Sequence, residues 1–132
     1  MSDSSGPVVA KLANSAFAAG LFLFAFIATA CAEDPPYNDK LMRLSEVLGS
    51  VHFLRNLCGE TTSQWRDAMN DLVVSESPTP ERKAKIIASF NHGYRSYGGV
   101  YLHCTEAAIT ALDKFMTEGK ALSEDIALRY AN

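Results

Sequence analysis

Cysteine and tryptophan are scarce here: the 132 residues contain three of the first and one of the second. Three cysteines are too few for a disulfide-dense miniprotein. A basic excess is also missing, with Lys+Arg 12 against Asp+Glu 15 and a formal net charge of −3. Phosphate-tracking surfaces need the opposite balance, so nothing electrostatic points to nucleic acid. No segment alternates apolar and polar residues with period two, and no sheet is expected. The motifs H-E-x-x-H, C-x-x-C, C-x-x-C-H and G-x-S-x-G are all absent. Zinc, c-type haem and a nucleophile elbow therefore have no support in the sequence, and no cofactor is implied. What is present argues for a folded domain. Hydrophobic residues make up 48% and charged residues 20%, a mixture that excludes a disordered chain.

The apolar residues are unevenly spread. No side chain from Leu12 to Ala32 is charged, and Leu21-Phe22-Leu23-Phe24-Ala25-Phe26-Ile27 is the densest part of that run. Lys11 precedes it, and the small residues Ala28-Thr29-Ala30-Cys31-Ala32 follow. A basic flank, a short greasy centre and an A-x-A end read as a secretory signal peptide over residues 1–32. Cleavage after Ala32 would start the mature chain at Glu33. A cut after Ala30 would leave Cys31 at the new terminus, open to lipid attachment, but Ala28 stands where a lipoprotein signal carries a larger aliphatic residue. The run also approaches the ~20 residues that span a bilayer, so an uncleaved inner-membrane anchor is the alternative, and the only membrane contact foreseen. Cysteine arithmetic favours the first cut. It removes Cys31 and leaves an even pair, Cys58 and Cys104, for an oxidising compartment. It also takes away one acid and one base, so the charge stays at −3. The localisation expected is periplasmic.

Residues 33–132 read as a single helical domain. Pro35 and Pro36 make an extended start. Asn38 or Asp39 then opens a helix whose apolar positions Leu41, Leu44, Val47, Leu48, Val51, Leu54 and Cys58 step by three and four, and Gly59 ends it. Thr61 with Gln64 predicts a capping box for a second helix, with Trp65, Met69, Leu72 and Val73 inward, stopping at Ser77-Pro78. Thr79-Pro80-Glu81 supplies a cap, a first-turn proline and an early acid for a third. This third helix is expected to carry Phe90, Tyr94, Tyr97, Tyr101 and Cys104 on one stripe, with a kink or a close helix approach at Gly98-Gly99. Thr105 caps a fourth, holding Ile109, Leu112, Leu122 and Ile126 inward, with a bend at Gly119. Short connections make sequential helices antiparallel, giving an all-α, up-and-down bundle of about four helices. In that topology the first and third helices end at one pole, which brings Cys58 and Cys104 together as a disulfide staple.

These residues resemble an uncharacterised family of small exported alphaproteobacterial proteins, known only as a domain of unknown function. The resemblance rests on Pro36-Tyr37, Leu44-Ser45-Glu46-Val47-Leu48-Gly49 and His52-Phe53-Leu54-Arg55-Asn56-Leu57-Cys58-Gly59. It continues through Trp65-Arg66-Asp67, Pro78-Thr79-Pro80-Glu81-Arg82, Phe90-Asn91-His92-Gly93-Tyr94-Arg95 and Cys104-Thr105. The commoner form of the last long block has arginine where this chain has His92, which would weaken any anionic site that used it. The resemblance implies export and a paired cysteine, and it brings no catalytic residues.

Chemistry is hard to find among the remaining residues. His92 and His103, if on one helix, would stand ~16 Å apart along its axis, too far to share an ion. His103 beside Cys104 suggests a thiol–imidazole pair, yet a disulfide-bound sulfur cannot attack. Asp67 and Asp71 read as like charges on an exposed face. Trp65, Arg66, Tyr94 and Arg95 stand out instead, because tryptophan, tyrosine and arginine dominate interface energetics. They are the candidate partner-binding residues. The function expected is a non-enzymatic interaction or regulatory module of the cell envelope, with an envelope protein as partner. A periplasmic stress chaperone or small-ligand binder is the alternative, and a cell-wall enzyme is a more distant third.

Overall fold

A computed structural model describes residues 33–130; the expected signal segment and Cys31 lie outside the described residues. Four helices follow in order: α1 (Asn38–Leu57), α2 (Gln64–Glu76), α3 (Pro80–Gly98) and α4 (Glu106–Tyr130). There is no strand among the described residues. The expected all-α bundle is therefore the fold.

Helix α1 is the hub. Its stripe Leu41, Leu44, Val47, Val51 and Leu54 is buried, and the other three helices all pack on it, α3 most extensively. Side-chain pairings give the directions. Arg82 reaches Asn38 at the start of α1, while Phe53 near its end meets Tyr94, so α1 and α3 run parallel. In α4, Asp125 pairs with Lys40 and Glu118 with Arg43, so that helix runs antiparallel. In α2, Trp65 packs with Val51 and Leu54 and Met69 with Leu41, so it too runs antiparallel to α1, and the up, down, up, down order deduced from loop length holds. Two apolar clusters result, one built on Val47, Val51, Leu54, Ala108 and Leu112, the other on Leu41, Met69, Ile86 and Phe90.

Local signals explain most boundaries. Gly59 has φ of 96°, and the N–H groups of Glu60 and Gly59 return to the carbonyls of Arg55 and Asn56, a left-handed helix stop. The Thr79 hydroxyl accepts from the Arg82 N–H, and Thr105 accepts likewise from Ala108. Two expectations fail. Helix α2 begins at Gln64 after Ser63, whose hydroxyl donates to Asp67 at 2.7 Å, so Thr61 and Gln64 form no capping box. Helix α3 stops at Gly98 rather than kinking there, which leaves Tyr101, His103 and Cys104 in the connection to α4. Helix α4 runs unbroken through Gly119.

The close helix approach exists, but elsewhere. A β-carbon on Gly49 would stand 1.9 Å from the Phe90 carbonyl oxygen, and one on Gly93 would stand 1.9 Å from that of Glu46. These two glycines let α1 and α3 cross backbone to backbone. At the far pole, Cys58 and Cys104 are joined by a disulfide with Cα atoms 4.9 Å apart, inside the normal range. The bridge was expected at the end of α3; it forms six residues beyond it.

Candidate functional site

The four residues singled out as a binding face do not form one cluster. Helix α2 straddles α1, and its neighbouring side chains Trp65 and Arg66 diverge. Arg66 turns toward α3, its guanidinium carbon 5.7 Å from the centre of the Phe90 ring. Tyr94, one turn further along α3, lies 5.5 Å from the His52 ring and edge-on to Phe53. Arg95, the next residue, is exposed. Trp65 turns the other way, against α4. It is half-buried, and its indole N–H is buried with no acceptor among the described residues.

His52 packs beside the Phe90 and Tyr94 rings, 6.0 Å and 5.5 Å away. It is 6% exposed. The Asn56 amide nitrogen lies 3.4 Å from Nδ1 and 3.5 Å from Nε2. Burial, and then the nearby Arg66 charge, hold its pKa below the ordinary histidine value, while Asp67 opposes them. His92 is exposed and faces Glu46 at 3.3 Å, and His103 is exposed in the α3–α4 connection. Among the described residues no three His, Cys, Asp or Glu side chains converge as a metal set.

Two surface hollows are lined by residues of more than one element. The α2 and α4 backbones stay apart, and between them lies an apolar groove of about 230 Å³. Its floor is the α1 stripe Leu44, Val47, Leu48 and Val51. Trp65 forms one wall, and Phe115 and Met116 form the other. Lys120 and Ser123 close one end. A wider hollow of about 610 Å³ lies beside α4 against the end of α3, where Tyr97 and Tyr101 stack and Tyr97 meets Phe115 edge-on. Neither hollow is lined by Tyr94, Arg95, Gly98 or Gly99.

The α4 wall was not legible as a site. Met116, Gly119, Lys120 and Ser123 look like an ordinary amphipathic helix, and only the distance between α2 and α4 turns them into a groove. A polar cluster was missed as well. Arg82 is 8% exposed and donates to Asn38 Oδ1 at 2.9 Å and Glu76 Oε2 at 2.8 Å. Tyr37 donates to the same carboxylate oxygen at 3.1 Å. Burial and the Glu76 charge hold the Tyr37 phenol above its ordinary pKa, so it stays a donor. Arg82 was in view only as part of the resemblance block.

Fold and site together define a disulfide-stapled bundle of four helices around a central one, with an arginine–aromatic face on one flank and an apolar groove on the other. The chain belongs to the family described as "Protein of unknown function (DUF2385)", whose pattern it matches over residues 36–130. No curated protein and no solved structure matches it. No helix among the described residues is long and apolar enough to cross a membrane.

Proposed function

We propose that the chain is an exported, non-enzymatic interaction module of the cell envelope that recognises a protein partner through Arg66, Tyr94 and Arg95. The observation that carries this reading is that Arg66 of α2, over the Phe90 ring, and Tyr94 of α3 both neighbour the buried His52. Arginine and tyrosine held on rigid helices are the groups that most often anchor a protein interface. Export rests on the sequence of residues 1–32, and periplasmic residence follows from it. The partner is sought by crosslinking in the native envelope, with wild type and an Arg66→Glu/Arg95→Glu variant side by side. A specific, saturable partner captured by wild type and lost by the variant, at equal melting temperature, is the expected result. Full capture by an equally stable variant overturns the assignment of this face. Intact mass from the envelope fraction tests export: a chain beginning at Glu33 is expected, and a retained leader or a lipid on Cys31 contradicts cleavage after Ala32.

One observation favours a second reading, that of a small-ligand binder: the apolar groove at Trp65 lies apart from the arginine face and has its own polar end.

A further inference from the structure

We infer that the groove between α2 and α4 binds the free form of a straight-chain aliphatic carboxylate. This deepens the small-ligand reading and does not depend on the protein-partner face.

Size comes first. The floor runs from Leu44 to Val51 along one helix, ~10 Å at 1.5 Å per residue, the length of an extended chain of about eight carbons. A hollow of about 230 Å³ is too small for a partner helix, which is about 10 Å across with its side chains. One aliphatic chain fits it. The floor is purely aliphatic and its walls are an indole, a phenyl ring and a thioether, so the body of the occupant must be hydrocarbon.

Polarity then sets the head group and its direction. Lys120 is the single charged residue that lines the groove. Because α4 is antiparallel to α1, Lys120 and Ser123 stand at the Leu44 end, while Trp65 packs with the Val47, Val51 and Leu54 cluster toward the other. Lys120 is committed only weakly: its ammonium is 3.8 Å from Glu124, and both side chains are largely exposed. The groove is therefore greasy at one end and cationic at the other, with no carboxylate lining it. That pattern suits an anionic amphiphile, its tail at Trp65 and its head at Lys120. A cationic amphiphile would find a like charge there.

Trp65 is the only tryptophan in the chain, so its emission reports on this groove alone. The full chain is titrated with octanoate, hexanoate, octanol and octylamine, each below its aggregation threshold. Octanoate should shift the emission to the blue and saturate. Hexanoate should bind about 15-fold more weakly, at about fourfold per methylene lost. Lys120→Glu should weaken octanoate by at least about fivefold and leave octanol unchanged, while Lys120→Arg should preserve octanoate binding. Melting curves verify that both variants fold, as expected for an exposed position. The proposal is overturned by an emission that octanoate leaves unchanged, by octanoate binding no better than octanol and indifferent to Lys120→Glu, or by a response to phospholipid vesicles that octanoate does not compete away. Loss of partner capture in the arginine variant with octanoate binding intact, or the reverse, separates the two sites.

Discussion

At Gly49 and Gly93 the backbones of α1 and α3 touch with no room for a side chain, and the obstructing atoms are carbonyl oxygens that cannot rotate away. Gly49→Ala should therefore cost at least ~2 kcal/mol as an overpacked crossing, lowering the melting temperature by about 10 °C in a domain of this size. Gly98→Ala is the control, since its new β-carbon meets Phe53 at an ordinary 3.6 Å; it should be neutral or slightly stabilising. Denaturation of the two variants side by side decides, and equal melting temperatures would remove the special status of the crossing. His52, three residues beyond Gly49, gives a second prediction at this scale. Its folded pKa is depressed by burial and then by Arg66. The unfolded chain thus binds the proton first, and the stability owed to the neutral ring is full above about pH 6.5 and lost as pH falls below it. Wild type should lose melting temperature between pH 7 and pH 5 more steeply than His52→Gln. Parallel slopes would show that the ring titrates freely. Asp125 acts in a lower window: the Lys40 hydrogen bond holds its carboxyl below the ordinary value, so its contribution fades only in stronger acid.

Between elements, the tie least visible in the sequence is the Arg82–Glu76–Tyr37–Asn38 cluster, which joins the start of α1 to the junction of α2 and α3. Removing one partner of a pair this buried leaves the other charge unpaired, a loss of about 3–5 kcal/mol. Arg82→Met should therefore destabilise strongly, and Glu76→Leu added to it should recover much of the loss because no charge is then stranded. Urea denaturation of the single and double variants tests this; a double variant that is additively worse would contradict it. Helices and their order were legible, because the steps of three and four in α1 and the Thr79-Pro80-Glu81 start need only local chemistry. Where sequence reading failed, the answer depended on a neighbour. Gly98 and Gly49 are both helical glycines, and only the path of α3 decides which pair of backbones meets. Trp65 and Arg66 are adjacent in sequence, and their separation onto two flanks follows from α2 lying across α1. The groove is still less legible, since its far wall comes from α4, some fifty residues along the chain.

Across the whole molecule, one covalent link joins the end of α1 to the connection between α3 and α4. The Cys58–Cys104 bridge spans 46 residues and encloses both α2 and α3. Helices α2 and α3 approach α1 far more closely than each other, and in the unfolded chain nothing but the bridge keeps this long segment closed. On the chain-entropy account such a loop is worth ~4 kcal/mol, on the order of 20 °C in melting temperature for about 100 residues. The link acts on the unfolded state, and the folded helices do not need it for their hydrogen bonds. Reduction should therefore leave the helical circular dichroism at 25 °C largely intact while the melting temperature falls. Cys58→Ser and Cys104→Ser should lower it equally, and the double variant should fall no further, because each change removes the same bond. Thiol counting gives an independent check. Denatured without reductant, the full chain should titrate a single thiol, Cys31, and a chain cut after Ala32 should titrate none; three thiols would mean that the bridge does not form. If the bridge forms and reduction still moves the midpoint by only a few degrees, the unfolded chain must already be compact over α2 and α3, and the apolar contacts those helices make with α1 would then survive denaturation in part.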